Sequence, residues 1–504
     1  LHYIAYGLIK KLILAKNYCN IIKSRLQINF FYQMTNSLMW FTGYLTADLR
    51  LQDNPAFIKA CQHQQILPIY IFTPPQNGRK LGEASLVWLH HSLQSLNKSL
   101  NNKLNFYCGE PSEIILQLIK QHKITAIYYN QSPQVQQQEQ QNLVARQIKD
   151  YCQVNYETDA YLLWNPSKIL NKKQEYYKVF SHFYRLGCLS QCKPRLPLFH
   201  NFYDNYVVDK NSLSLNQLSL LPQKNWHHNT INYWQIGEQE AWKKMVNFVK
   251  NGLKNYKEGR NLPSSPQFVS ALSPHLHFGE ISVQQIWHFA CQNHQNDDNL
   301  QCFLSELAWR EFSYYLLHYF PCLPTSNFQA KFDNFAWQND LSQLKQWQQG
   351  KTGFPIVDAA MRQLWQTGYM HNRLRMIVGS FLVKNLLIDW RYGEEWFWQC
   401  LFDADLASNV ASWQWVAGSG ADAAPYFRIF NPILQSEKFK TADFIKKFVP
   451  ELAKLNDQDL FAPWLASAES LQKANVKLGF NYPKPMIDLD LSRKKALQNF
   501  IAIK

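Results

Sequence analysis

The hydrophobic period changes part-way along the chain, and that change limits the architecture more than any other feature. Between residues 38 and 129 the short apolar runs LMWF (38–41), LPIYIF (67–72) and AIYY (126–129) are separated by helical stretches such as ASLVWLHHSLQSL (84–96). Strand, helix and strand in turn imply a parallel sheet flanked by helices, because parallel neighbours need a crossover. From about residue 236 onward apolar residues recur at helical spacing and strand-like runs nearly vanish. GFPIVDAAMRQLWQTG shows the pattern: Pro355 suits a first helical position, Ile356, Ala359, Ala360 and Leu364 share a face, and Gly368 closes the helix. The expected fold class is therefore an α/β amino-terminal domain with a Rossmann-like parallel sheet over residues 34–165, then an all-α domain over 236–504. Residues 166–235, which include KPRLPLFHNFYDN and LSLLPQKNWHHNT, lack sustained periodicity and read as a connector. A chain of 504 residues exceeds one ordinary hydrophobic core, which agrees with two domains.

Lys and Arg outnumber Asp and Glu by 52 to 37, a formal charge of +15, which favours a polyanionic partner such as nucleic acid or an acidic membrane. No run of about 18 apolar residues lacks a charge, so a membrane-spanning helix is not expected. Aromatic residues make up 15%, with 17 Trp, a usage that suits stacking, electron transfer or a large helical core. The ten cysteines are scattered. Cys188 and Cys192 form a lone CxxxC without a second pair or a His cluster, so no metal site is expected.

Residues 1–33 carry Lys10, Lys11, Lys16, Lys23 and Arg25, and no acid precedes Asp48. Such a start matches an organelle-targeting segment. The simpler reading is an extension that is not native, since the domain pattern begins just after Met34. The second reading puts a bacterial protein in the cytoplasm, and the first sends it to an organelle or the nucleus.

Three segments of the helical half carry unusual chemistry. In SELAWREF, Glu306 neighbours Trp309 and Arg310 at i+3 and i+4, so a carboxylate, a stacking surface and a cation point one way. In MHNRLRM the same rule sets Asn372 over Met376, with Arg373 and Arg375 on the flanks. Either segment alone is also an ordinary salt-bridged helix face. DADLASNVASWQWVAGSG (403–420) is harder to assign to packing. Asp403 and Asp405 suit helix caps and Trp413 and Trp415 suit its far end, but Asn409 has no task in that account.

KTGFPIVDAAMRQLWQTGYMHNRLRMIVGSFLVK, LLIDWR and DADLASNVASWQWVAGSGADAAPYFRIFNPILQSEKF resemble the flavin-binding domain of the photolyase and cryptochrome family. ALSPHLHFGEIS (271–282) and YYKVFSHFYR (176–185) extend the similarity over nearly the whole chain from Met34. The resemblance implies FAD in a helical pocket beside a hole in a basic surface, into which a damaged base flips from UV-damaged DNA. It implies a light-driven lyase in which excited reduced flavin lends an electron to a cyclobutane pyrimidine dimer; the alternative is a cryptochrome-type photoreceptor without repair. A monomer is expected.

By the same resemblance, Asp403, Ala404 and Asp405 contact the flavin, Arg375 pairs with Asp403, and Asn409 faces the reactive flavin nitrogen. Tyr256, Ser270, Ala271, Leu272 and Ser273 match the phosphate contacts. Here the family's Thr-Ser-Arg-Leu-Ser reads VSALS, so Val269 and Ala271 replace a hydroxyl and a cation, and backbone amides are left to hold phosphate. Trp413, Trp390 and Trp337 match a chain of tryptophans that carries electrons from the surface. Glu306, Asn372 and Met376 are the implied catalytic residues, with Trp309 and Trp415 as apolar walls of the lesion pocket. Arg260, Arg310, Arg373, Arg428 and Gln435 are the implied DNA contacts. Photolyases for (6-4) photoproducts carry histidines where Asn372 and Met376 stand; neither residue here can act as an acid near neutral pH, so the cyclobutane dimer is the implied substrate. His371 is expected to be structural.

The first domain would house an antenna chromophore, either methenyltetrahydrofolate, a deazaflavin or none. WFTGYLTADLRLQDNPAF carries an insertion between Phe41 and Asp48, and Gln136 and Gln137 stand where folate-binding members offer a carboxylate.

Overall fold

The computed structural model describes residues 33–42, 48–74, 79–199 and 205–503. The basic extension before Gln33 and the body of the insertion after Phe41, residues 43–47, lie outside them. Five strands, β1 (Gln33–Phe41), β2 (His63–Phe72), β3 (Asn105–Cys108), β4 (Ile124–Asn130) and β5 (Gln153–Glu157), pair in the order β3-β2-β1-β4-β5. Every pairing is parallel, and the order reverses between β1 and β4 as in doubly wound folds. The three apolar runs are β1, β2 and β4. β3 and β5 are additional edge strands of only four and five residues, and β5 is half exposed and mixed in polarity, so neither leaves a clear apolar run.

β1 explains why the sheet is buried on both sides. Met39 and Phe41 pack into one core cluster and Leu38 and Trp40 into another, the two-residue alternation of a strand with helices on each face. Those helices are α1 (Pro55–Ala60), α2 (Glu83–Ser99), α3 (Pro111–His122) and α4 (Val135–Ile148). The glutamine run opens α4, where the buried Gln137 accepts from Ser132 Oγ at 2.9 Å. The cluster holding Met39 and Phe41 does not end at the domain: it continues into the helical half through Trp88, Phe278 and Phe402.

The helical half uses six helices to build the site: α5 (Ser273–His277), α6 (Asp298–Tyr319), α7 (Pro355–Thr367), α8 (Asn372–Ser380), α9 (Trp390–Cys400) and α10 (Leu406–Ala417). α7 begins at Pro355 and stops at Gly368, whose φ of 64° is the left-handed conformation that ends a helix. Ile356, Ala359, Ala360 and Leu364 are buried on its inner face.

Buried polar groups fasten the two halves. Arg50, 1% exposed, donates to Gly279 O at 3.1 Å and to Ala160 O at 2.9 Å. Glu238 accepts from the amides of Leu51 and Gln52, at 2.9 and 2.8 Å. The described part of region 166–235 holds short helical segments, the longest over residues 180–191, and is pinned to the sheet by bridges from Tyr206 to Ile66 and from Leu213 to Phe106. No helix among the described residues is long and apolar enough to cross a membrane.

Candidate active site

A cavity of about 570 Å³ opens between α5, α6, α8 and α10. At its deep end stand the two carboxylates. Asp405 is the N-cap of α10: its Oδ1 accepts from Ser408 N at 2.8 Å and its Oδ2 from the Tyr314 hydroxyl. Asp403 lies on the strap before the helix, where it takes Arg375 Nη2 at 3.0 and 2.7 Å and the Ser273 hydroxyl. Arg375 is held by a second bond, from Nε to Met370 O at 2.8 Å. Of the two aspartates, then, only Asp405 does the capping work, which a carboxylate suits because helix N-termini carry unpaired amides and partial positive charge.

His277 completes this end. Its Nδ1 is 4.0 Å from Asp405 Oδ2, has no hydrogen-bond partner, and stands at the cavity wall. Burial pushes the imidazole below its ordinary pKa, against the pull of Asp405 and Asp403. Asn409 lines the same space from the next turn of α10, with Nδ2 donating to Glu394 O and Oε1 at 3.0 and 2.7 Å.

Val269, Ser270, Ala271, Leu272 and Ser273 border the cavity together with Tyr256 and Ala404. Ala271 has φ of 48° and Leu272 is right-handed helical at φ −90°, ψ −4°. Consecutive residues of opposite hand are the backbone pattern of concave anion-receiving turns, and here the Leu272 amide makes only a long bond to Ser270 Oγ, at 3.4 Å. The loss of a cation at Ala271 therefore leaves a backbone device in place.

Toward the mouth, Arg260 and Glu306 face each other in a two-pronged ion pair. Trp309 is stacked on Phe180 with centroids 3.8 Å apart and planes 10° from parallel. Asn372 starts α8, capped by His371, whose Nδ1 accepts from Arg373 N at 3.2 Å. Burial, with Arg373, Arg375 and Arg260 nearby, lowers the His371 pKa to about 4. The ring is therefore neutral at pH 7 and able to accept. Arg373 donates to Asn261 Oδ1 and reaches Met376 Sδ at 3.4 Å. An adjoining hollow of about 350 Å³ shares Arg373, Met376 and Trp415 and adds Arg428, Gln435 and Lys438.

Arg310 borders the cavity but is turned inward, with Nη1 on Tyr161 O and Glu311 Oε1, both at 3.0 Å. Of the three tryptophans, Trp413 is at the cavity wall while Trp390 and Trp337 lie away from it. Trp390 is fully buried with Nε1 on Asn327 Oδ1 at 2.9 Å, and Trp337 is half-buried against Phe335 at 4.4 Å. α9 and α10 approach closely because Gly393 has no Cβ, which would stand 2.2 Å from the Trp413 ring.

Phe180, Asn261, His277, Tyr314 and Glu394 are site residues to which the sequence assigned no task. Tyr314 had a signal, since it continues the series Glu306, Arg310 at four-residue spacing along α6. Phe180 lies within YYKVFSHFYR, a stretch that carries the resemblance without giving this residue a role, and Asn261 had no signal.

Residues 303–502 match the FAD binding domain of DNA photolyase, and residues 37–198 match DNA photolyase. The chain is 40% identical to the deoxyribodipyrimidine photo-lyase of Agrobacterium fabrum, a match covering 93% of this chain and 98% of that one. The chain belongs to the photolyase family. A class III photolyase from Agrobacterium tumefaciens superposes on it with TM-score 0.86 at 40% identity, over 95% of this chain and 99% of the other. The Synechocystis sp. PCC6803 cryptochrome gives 0.80 at 28% identity, over 93% and 100%. An FAD-binding domain thus coincides with the cavity, and the residues present fit that cofactor: a carboxylate–arginine pair, an oriented amide, a concave turn, and a buried His277 nitrogen awaiting a partner.

Proposed function

We propose that this protein is a light-driven DNA repair enzyme, a deoxyribodipyrimidine photo-lyase that splits cyclobutane pyrimidine dimers. The observation that carries the reading is the continuity of one cavity, from Asp403, Asp405 and Asn409 at its deep end to Glu306, Asn372, Met376 and Trp415 at its mouth. Bound FAD supplies the light-driven electron that opens the cyclobutane ring and takes it back, so the reaction is net redox-neutral.

The chain supplies placement and charge. Asp403, Asp405 and the turn at 270–273 hold the cofactor, and Asn409 sets the polarity beside its reactive nitrogen. Trp309 and Trp415 form apolar walls that exclude water from a flipped-out dimer. Glu306 hydrogen-bonds the polar edge of the lesion once a DNA phosphate takes Arg260 from it, and Asn372 serves the opposite edge. Arg373, Arg428 and Gln435 grip the distorted backbone, contacts that fix register without reading sequence and that weaken with salt. Trp337, Trp390 and Trp413 run from partial exposure to the cavity wall, an order suited to carrying an electron inward by hopping. One cavity takes one lesion, so the protein acts as a monomer, on the DNA of a bacterial cytoplasm.

The cryptochrome reading is separated from this one by product. The purified protein, illuminated with blue light on a dimer-containing oligonucleotide, should be yellow and should restore thymines. Glu306→Ala should lower repair yield more than FAD content, and Asp405→Ala should do the reverse. A yellow protein that photoreduces yet restores no thymines would select the photoreceptor, and a colourless one that takes up no FAD would sink both.

A further inference from the structure

Asn409 is one residue removed from the α/β domain. Both protons of its Nδ2 go to oxygens of Glu394, the carbonyl at 3.0 Å and Oε1 at 2.7 Å. Because an ionised carboxylate and a carbonyl only accept, the amide is fixed in one orientation, and Oδ1 is the polar atom it can offer to the cavity it lines. Glu394 itself is 4% exposed. Arg79 meets it from the other side as a fork, Nη1 to Oε1 and Nη2 to Oε2, each at 2.8 Å.

Arg79 stands just before α2, and residues 79–82 are locked onto α9. The Arg79 guanidinium lies 4.1 Å above the Trp398 ring, and Trp398 Nε1 donates to Lys80 O at 2.8 Å. A Cβ on Gly82 would meet Trp398 O at 2.0 Å, so the contact admits no side chain there.

We propose that Arg79 is a positioning residue for the flavin: through Glu394 it holds Asn409 with Oδ1 toward the cavity and so favours the reduced cofactor. A reduced flavin carries N–H at its reactive nitrogen and needs an acceptor there, whereas the oxidised ring presents a lone pair and needs a donor. The amide can satisfy only one of these at a time. Burial raises the Glu394 pKa and Arg79 opposes the rise, so losing Arg79 shifts the carboxyl further toward its neutral form and removes the fork that fixes it. A carboxyl that is released by Arg79 and can donate no longer demands a proton from Nδ2, so the amide keeps only its bond to Glu394 O and Oδ1 is held less firmly toward the cavity. The inference rests on the reading of Asn409 as the amide beside the reactive nitrogen.

The test uses the full-length flavin-loaded protein, photoreduced without oxygen and then opened to air in the dark. The half-time of flavin reoxidation is followed by absorbance, with FAD content and thermal melting measured alongside. Arg79→Ala is expected to shorten that half-time about tenfold, the worth of one charge-assisted hydrogen bond, with FAD content unchanged. Arg79→Lys should recover part of it. Glu395→Ala removes the exposed second partner of Arg79, at 2.9 Å, without touching the fork, and should leave the half-time as it was. Asn409→Ala should shorten it, and adding Arg79→Ala should then do nothing more. Should Arg79→Ala not fold, Arg79→Gln, which keeps a side chain over Trp398, replaces it in every comparison. A wild-type half-time in the Arg79 variant beside a shortened one in Asn409→Ala overturns the inference alone. No change in Asn409→Ala overturns the reading of Asn409 and the inference with it.

Discussion

The two ends of the cavity hold the same kinds of side chain in opposite conditions. At the deep end Asp403 and Asp405 are buried, and each is bonded to a fixed part of the fold: Arg375 and Ser273 for one, the Ser408 amide and Tyr314 for the other. At the mouth Arg260 and Glu306 pair with each other, Arg260 adding only a weak contact to Cys302 Sγ at 3.6 Å, with side chains 21% and 28% exposed, and Arg428 is exposed. A group cut off from water must be satisfied by the scaffold before any ligand arrives. A group at the rim can exchange its partner, because water and salt already weaken the pair it makes. One end is thus organised in advance and the other is organised by what binds.

Asp403→Ala is the strongest way to break this contrast. It strands the Arg375 guanidinium beside an apolar gap and should cost about 4 kcal/mol, read as a lower denaturant midpoint with FAD lost on purification. Arg260→Ala should cost less than about 1 kcal/mol. Equal losses at both positions would remove the distinction.

Acid should attack the wall between the two ends. Unfolded His371 takes its proton near 6.5, but the folded ring resists until about 4, so the unfolded chain binds more protons between those values. Stability should therefore fall as pH drops through that window, by up to about 3 kcal/mol. His371→Asn keeps a cap and does not titrate, and its melting temperature should depend less on pH across the same range.

At the rim, Arg428→Ala should leave stability within about 0.5 kcal/mol of wild type while lowering the salt dependence of DNA binding by about one counterion. The smallest effect is expected at the concave turn. Ala271 has φ of 48°, strained for any residue with a Cβ, and Ala271→Gly should raise stability by about 0.5 kcal/mol after the added freedom of the unfolded chain is subtracted, read as a slightly higher denaturant midpoint.

The contrast also divides what could be read from the sequence. α7 was legible end to end because Pro355 and Gly368 mark its limits and its apolar face repeats between them. The spacing in SELAWREF correctly sets Glu306, Trp309 and Arg310 on one helix, but the partner of Glu306 is Arg260, 46 residues away, rather than Arg310. Periodicity sees neighbours on one helix and is blind to groups delivered by another. The same blindness hid Phe180 behind Trp309. Glu394 and Glu395 illustrate the remaining difficulty: they are adjacent and identical, yet one is buried against Asn409 and the other faces solvent. β3 and β5 escaped because edge strands of four and five residues are held by pairing more than by apolar content.

The stack of Phe180 on Trp309 gives the pocket a handedness. With one face of the indole covered at 3.8 Å, Trp309 is a shelf with a single usable side, and a flat ring can settle on it from one direction only. The cover comes from the helical turn that starts at Phe180, in the stretch between the two domains, so the path of that stretch sets which face of the indole is left open.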